Sequence, residues 1–264
     1  MPSSLRRLAL AAACALLPGL AAAAEPTTLS VNCDAPLSVI RLTQGLTNSA
    51  ARIAAGEPLV VLAIGSSSTE GIGASAPEFA YPNQLQQQLA LLYPGLKIEV
   101  HNRGKGGETI QPMLGRLKQE VQTLHPSLVI WQTATNDLFQ GVPAATVDAA
   151  LQDGTDFLAS QAVDLLLFDP QVYARAKDPV LYENAVRHLD AFGERAGVPV
   201  FHRYDLMRHW EAQGLALSAL MAPDQLHHND TGYRCVSAAM ATALQDRVIA
   251  AGSLAETHTA ALPR

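Results

Sequence analysis

The sequence has few aromatic residues, few cysteines and no run of basic residues. Of its 264 residues, 5% are aromatic, 16% are charged and three are cysteines, and the formal net charge is −6. An acidic chain without a Lys/Arg cluster is a poor partner for nucleic acid or anionic lipid, since both repel it. With 48% hydrophobic residues, the chain can still bury a sizeable core, so we expect a globular protein.

The first 24 residues have the pattern of a secretory signal. Two arginines precede the apolar run Leu8–Leu17, and three alanines ending at Ala24 offer a small-residue cleavage site. The run is too short to span a bilayer, so no membrane anchor is expected. We therefore predict cleavage near Ala24 and a secreted or periplasmic mature protein; lipidation of Cys14 and twin-arginine export are the less favoured alternatives.

The mature chain is predicted to hold one domain with short additions at its ends. Residues 25–57 are interpreted as an amino-terminal covering arm, residues 58–252 as the main domain and residues 253–264 as a frayed tail. Cleavage of the signal leaves Cys33 and Cys235. In an oxidising compartment these two could form a disulfide or remain separate buried thiols, and the sequence leaves both possibilities open.

Apolar runs alternate with amphipathic segments from residue 59 onward. The runs predict five strands, at 59–64, 97–102, 127–132, 163–168 and 198–202. The segments between and after them predict helices, at 83–93, 109–124, 144–160, 180–196, 206–217 and 232–250, with a further short helix at 46–55 in the arm. Strands separated by helices favour a parallel five-stranded sheet in a three-layer α/β/α sandwich.

The predicted strand ends carry a set of residues suited to ester hydrolysis. The first strand leads into GSSSTEG, the second into NRGKGGE and the third into TATND, and DQLHH precedes the last helix. A serine hydroxyl needs a base to take its proton, and a histidine oriented by a carboxylate is the usual base. Asp224 and His227 have a spacing that can bring them together. Glycine N–H groups and an asparagine amide can bind the developing oxyanion.

These segments resemble the four sequence blocks of the SGNH hydrolases, also called GDSL-type esterases and lipases. GSSSTEG is similar to their GDSxTxG block, and the resemblance, which runs from residue 59 to 244, implies a flavodoxin-like fold. It also implies Ser67 as nucleophile, with Asp224 and His227 completing the triad. The implied oxyanion donors are the N–H groups of Ser67 and Gly107 and the Asn136 amide.

The sequence departs from the family pattern at three positions. Ser66 stands where the family has aspartate, Ala134 where it has glycine and His228 where proline is common. None of these changes removes a catalytic group, so we expect them to affect substrate geometry more than the reaction. Gln171, in the loop after the fourth strand, is a candidate for contact with substrate, although loop support is an equal interpretation.

The sequence therefore predicts a secreted serine esterase that hydrolyses short-chain acyl or O-acetyl esters of small molecules or carbohydrates. No cofactor and no metal are expected, because the His227-His228 pair lacks a recognised ligand spacing. A histidine base predicts activity that falls below about pH 6.5. The alternatives are an O-acetyltransferase using the same site and a flavodoxin-like protein that binds phosphate or flavin. The oligomeric state stays open.

Overall fold

Five parallel strands form one sheet in the order β2-β1-β3-β4-β5. A computed structural model describes residues 31–249, so the predicted signal, Cys14 and the predicted tail lie outside the described residues. The strand bounds are β1 Leu59–Gly65, β2 Ile98–Gly104, β3 Leu128–Gln132, β4 Asp164–Phe168 and β5 Val200–Phe201. This order is that of a flavodoxin-like doubly wound sheet, and the predicted five-stranded parallel sheet is confirmed.

The apolar runs form strands because helices cover both faces of the sheet. Every residue of β3 and β4 is buried, which is why these strands show no alternation of polar and apolar residues. Trp131 of β3 lies in the core, where its Nε1–H contacts Met113 Sδ at 3.0 Å. A side chain at Gly154 would clash with the Trp131 ring, so a glycine lets its helix pack closely against the sheet.

Ten α-helices occur among residues 31–249. They are α1 Leu37–Ile40, α2 Thr47–Ala54, α3 Ser67–Glu70, α4 Tyr81–Leu92, α5 Ile110–Leu124, α6 Thr135–Phe139, α7 Ala144–Ser160, α8 Pro179–Ala196, α9 Arg203–Ala212 and α10 Asp230–Leu244. Short 3-10 turns occupy Pro77–Phe79 and Leu217–Ala219, and a π turn occupies Gln245–Ile249. In the described part of the chain, none of the helices is long and apolar enough to cross a membrane.

Two helix boundaries differ from the sequence prediction for identifiable reasons. The helix predicted at 206–217 spans Arg203–Ala212 instead, and Gly214, with a φ of +87°, turns the chain away soon after its end. The helix predicted to begin at residue 232 begins at Asp230, because the Asn229 side chain accepts the Gly232 N–H at 2.9 Å and caps it.

The segment before β1 is fixed to the rest of the unit at two places. Asp164, at the start of β4, accepts the backbone N–H groups of Asn48 and Ser49 at 3.2 and 2.7 Å and so holds the first turn of α2. Cys33 forms a disulfide with Cys235 of α10 across 202 residues of sequence, which resolves the open question. A boundary between arm and main domain at residue 58 stays a prediction.

Candidate active site

The turn between β1 and α3 presents Ser67 at the carboxyl end of the sheet. Its Oγ lies 2.8 Å from His227 Nε2, although the two residues are 160 positions apart in sequence. Gly65 ends β1 where a side chain would clash with the Thr69 hydroxyl, so a glycine is required for the chain to turn there. Ser67 is the first residue of α3, and its backbone N–H therefore has no partner within the helix.

Asp224 holds the other side of the His227 ring. Its Oδ2 lies 2.6 Å from His227 Nδ1, while its Oδ1 accepts the backbone N–H groups of Leu226 and His227, both at 2.9 Å. Partial burial opposes ionisation of Asp224, but the hydrogen bonds from His227 and Leu226 outweigh it and lower its pKa. With Nδ1–H donating to this carboxylate, Nε2 is left to accept the Ser67 proton. The three side chains form one hydrogen-bonded series.

Of the three adjacent serines, Ser67 is the one that contacts the histidine. Ser66 is buried, and its N–H and O–H donate to Gln132 Oε1 at 2.9 and 3.1 Å. The Thr69 hydroxyl donates to the same oxygen at 3.2 Å. A carboxylate at position 66 would place a second acceptor against Gln132 Oε1, whereas a serine donates to it. The serine that replaces the family aspartate is therefore complementary to Gln132 on β3.

The glycine-rich loop after β2 is held from three directions. Gly106 donates its N–H to Glu70 Oε2 at 2.7 Å, and the carbonyl of Gly107 accepts from Gln140 Nε2 at 2.9 Å. Asn136 Nδ2 donates to the Glu108 carbonyl at 2.9 Å, which leaves the second N–H of its amide free to bind another acceptor. Gly107 has a φ of +75°, and no described residue accepts its N–H.

The loop that carries Asn136 has an unusual backbone. Ala134, at the position of the family glycine, has a φ of +79° and a ψ of −33°, a conformation that is strained for a residue with a Cβ. Asp137 braces this loop from below, since its carboxylate accepts the Ile110 N–H at 2.9 Å at the start of α5. Burial raises the pKa of Asp137.

Gln171 lies behind the Asp-His loop. It is 1% exposed, and its Nε2 donates to the Leu226 carbonyl, between Asp224 and His227, at 2.9 Å. The backbone carbonyl of Gln171 accepts the Tyr182 hydroxyl at 2.8 Å. The geometry therefore gives Gln171 a supporting position for the Asp-His loop, and contact with substrate stays a prediction.

Three residues of the site region were missed by the sequence reasoning. Glu70 accepts the Gly106 N–H, and Gln132 accepts hydrogen bonds from Ser66 and Thr69. The third residue, Arg203, is fully buried behind the site. Its Nε and Nη2 donate to the Asp169 carbonyl at 3.1 and 2.8 Å, and its guanidinium lies 4.3 Å from the Phe168 ring centre. Glu70 stands one helical turn after Ser67, a spacing that could have drawn attention to it. Arg203 has no comparable signal.

The histidine next to His227 has a separate environment. His228 is 1% exposed, its Nδ1 lies 3.3 Å from the Leu220 carbonyl and its ring packs edge-on against Tyr233. Burial lowers the pKa of His228 to about 3. Asp230, the remaining acid of this segment, accepts the Ser75 N–H and hydroxyl at 2.7 and 2.6 Å. These partners explain both residues as supports of the loop.

Comparisons with known proteins agree with this architecture. Residues 32–250 match the model of the Non-GDSL lipase-like family. No curated protein matches the sequence significantly. A lipase/acylhydrolase from Enterococcus faecalis is similar in structure, with a TM-score of 0.62 at 21% identity over 72% of this chain and 96% of that one.

Two carbohydrate esterases are also similar in structure. The two-domain esterase CEX, active on acetylated mannans, has a TM-score of 0.65 at 20% identity over 80% of this chain and 55% of that one. Axe2, an acetyl-xylooligosaccharide esterase from Geobacillus stearmophilus, has a TM-score of 0.59 at 19% identity over 72% of this chain and 93% of that one. At these identities, the structures show a shared fold. From its family match and its four blocks, the chain belongs to the Non-GDSL lipase-like family of SGNH hydrolases and is an ester-hydrolysing enzyme.

Proposed function

We propose that this protein is a serine esterase in which Ser67, His227 and Asp224 form the catalytic triad. The observation that carries the proposal is the continuous series from Ser67 Oγ to His227 Nε2 at 2.8 Å and from His227 Nδ1 to Asp224 Oδ2 at 2.6 Å. A hydroxyl in contact with an oriented imidazole is the arrangement that activates serine for attack on a carbonyl.

The first half of the reaction acylates the enzyme. Ser67 Oγ attacks the ester carbonyl carbon while His227 Nε2 accepts its proton, and the carbonyl oxygen becomes an oxyanion. The N–H groups of Ser67 and Gly107 and the free N–H of Asn136 are the donors for that charge. The C–O bond to the alcohol then breaks, and His227 gives its proton to the leaving oxygen. In the second half, water attacks the acyl carbon while His227 Nε2 accepts its proton. The bond from the acyl carbon to Ser67 Oγ then breaks, His227 returns the proton to Ser67 Oγ, and the acid is released.

Glu70 supports this mechanism as a positioning residue. Its bond to the Gly106 N–H engages the donor that directly precedes Gly107, and it ties the oxyanion loop to the helix that begins with Ser67. Gln171 has the corresponding position on the other side, through Leu226. Both contacts keep donors and base in register with the nucleophile, which is how small displacements of an active site are prevented.

We propose that the substrates are short-chain acyl or O-acetyl esters of small alcohols or carbohydrates. We also propose that the protein is exported. Support comes from the signal-like first 24 residues and from two similar structures whose names specify acetylated mannans and acetyl-xylooligosaccharides. Transfer of the acyl group to a sugar hydroxyl would use the same residues. A phosphate- or flavin-binding role leaves the contact between Ser67 and His227 without a purpose, so we do not favour it.

The proposal is tested by hydrolysis of 4-nitrophenyl acetate and of an acetylated oligosaccharide. Ser67→Ala is expected to lower kcat by at least about 1000-fold, whereas the neighbouring Ser68→Ala, as the matched control, is expected to retain most activity. Acetate release measured with and without a sugar acceptor separates hydrolysis from transfer. Retention of activity by Ser67→Ala would reject the proposal.

A further inference from the structure

A groove of about 380 Å³ lies between α6 and the loop that follows β4. This volume is in the range of small-molecule sites. The groove is lined on one side by Leu138 and Phe139 of α6 and on the other by Tyr173 and Leu181. Phe139 is 46% exposed and Leu181 is 52% exposed, so apolar side chains on both sides of the groove are open to contact with a ligand.

The aromatic wall of the groove is held in place from beneath. The Phe139 and Tyr173 rings lie 5.8 Å apart in an edge-on arrangement, and each lies 6.2 Å from the ring of Tyr182. Tyr182 is 3% exposed, and its hydroxyl donates to the backbone carbonyl of Gln171. The exposed Phe139 ring and the half-buried Tyr173 ring therefore pack against a buried ring that is fixed by a hydrogen bond, which favours a preformed contact surface.

Two cations also border this apolar surface. Arg175 and Lys177 both line the groove, and neither lies within 4.0 Å of a carboxylate of the described residues. The acid nearest in sequence, Asp178, also lines the groove, but its Oδ1 accepts the Leu181 N–H at 2.9 Å as the cap of α8. With Arg175 and Lys177 against the one carboxylate of Asp178, the charged residues that line the groove carry a net positive charge, which favours an anionic group.

Both walls of the groove are built from segments that also carry the active site. Phe139 follows Asn136 by less than one turn on α6. Tyr173 follows Gln171 by two residues, and the Gln171 amide is bonded to the loop that holds His227. The groove is therefore formed by the same chain segments that carry the proposed oxyanion donor and the support of the base, which favours a part of the ester substrate as its occupant.

We propose that the groove binds a carboxylate-bearing part of the substrate, with its apolar face on Phe139 and Tyr173 and its carboxylate near Arg175 and Lys177. Arginine in particular presents paired N–H donors that match a carboxylate. This inference rests on the proposed esterase function and extends it to an acidic substrate class. The carboxylate can belong to the acyl part or to the alcohol part of the ester.

The test compares charged and neutral esters of matched shape. For the alcohol part, the pair is 4-acetoxybenzoate and its methyl ester; for the acyl part, it is 4-nitrophenyl hemiglutarate and 4-nitrophenyl pentanoate. The wild type is expected to have a higher kcat/KM on the charged member of one pair, and that pair identifies the part of the ester that the groove holds. Added salt is expected to reduce the preference, since the cations are exposed.

Arg175→Gln/Lys177→Gln is expected to lower the charged-to-neutral ratio of kcat/KM about three- to tenfold, the size expected for one or two exposed ion pairs. The matched control is Lys97→Gln/Arg208→Gln, which removes two exposed cations outside the groove and is expected to leave the ratio unchanged. An unchanged ratio in the groove variant, or no preference in either pair, would overturn the inference while hydrolysis of the neutral esters still upheld the esterase.

Binding provides a readout that does not depend on turnover. Calorimetric titration of the Ser67→Ala protein with 4-acetoxybenzoate and with 4-nitrophenyl hemiglutarate is expected to show binding of the preferred anion, weakened by Arg175→Gln/Lys177→Gln. If the wild type cleaves no ester, the proposed function fails, and this titration alone decides whether the groove recognises a carboxylate. Equal binding with and without the two cations would reject the site.

Discussion

His228 is expected to make the stability of the protein fall as the pH is lowered. The side chain is buried beside the proposed base, and burial lowers its pKa to about 3. In the unfolded chain, a histidine has a pKa of about 6.5. The unfolded state therefore binds a proton that the folded state does not, and the contribution of neutral His228 is complete above about pH 6.5 and declines as the pH falls toward 3.

At pH 4.5 the expected loss is about 2.7 kcal/mol, since two pH units below the unfolded value correspond to about 1.36 kcal/mol each. Asp169 has the opposite sign. Burial raises its pKa to about 8, so the folded state holds the extra proton, and Asp169 favours folding as the pH falls from about 8 to about 4. The pH dependence of the wild type alone mixes these two groups with others such as Asp137 and Asp224, and a variant is needed to isolate His228.

The assay is urea unfolding of the wild type and of His228→Phe at pH 7.5 and at pH 4.5. Because Asp169 is common to both proteins, the difference in their free energies of unfolding reports His228. The wild type is expected to lose about 2 to 3 kcal/mol relative to the variant on acidification. His228→Gln, which also cannot titrate but packs differently, is expected to show the same relative change. A difference that stays constant between the two pH values would refute the reasoning.

Three further changes have expected outcomes. Glu70→Ala should lower kcat about tenfold with little change in KM, since a charge-assisted hydrogen bond to the Gly106 N–H contributes about 1.5 to 3 kcal/mol, and Glu70→Gln, which keeps an acceptor, should recover most of it; steady-state kinetics with wild-type kcat for Glu70→Ala would contradict this role. Removing the disulfide by Cys33→Ser/Cys235→Ser should lower the free energy of unfolding in urea by about 5 kcal/mol, the chain-entropy value for a loop of this length, and a loss below about 1 kcal/mol would be inconsistent with it. Ala134→Val should destabilise the protein by about 2 kcal/mol, because a β-branched residue is poorly tolerated at positive φ, whereas Ala134→Gly should stay within about 1 kcal/mol; equal melting temperatures for the two variants would exclude backbone strain.

The centre of the sheet was predictable because β1, β3 and β4 are buried on both faces. The apolar runs that become β3 and β4 stand out in sequence, and the predicted helix at 144–160 matches α7 residue for residue. The end of α9 was not predictable from hydrophobic periodicity. The chain leaves the helix through the positive φ of Gly214, and periodicity carries no information about backbone angles. The fifth strand was predicted at 198–202 but spans only Val200–Phe201, because only these two residues pair with β4. The length of that pairing cannot be read from the apolar run alone.

The contacts of the candidate site were also predictable only in part. Matching sequence blocks predicted that Ser67 and His227 would meet across 160 residues, and the two atoms are in contact. The partner of Ser66 could not be predicted, because Gln132 lies 66 positions away on another strand and has no motif of its own. The disulfide was left open for a similar reason, since pairing depends on how the chain folds.

The central claim, that Ser67 is the activated nucleophile, is tested most directly by covalent labelling. The intact protein is treated with diisopropyl fluorophosphate, and the modified residue is identified by peptide mass spectrometry. The account predicts one phosphorylated residue, Ser67, with labelling abolished in Ser67→Ala and strongly slowed in His227→Ala, in parallel with loss of ester hydrolysis. Labelling of a different residue, or full ester hydrolysis by a protein whose Ser67 is fully modified, would contradict it.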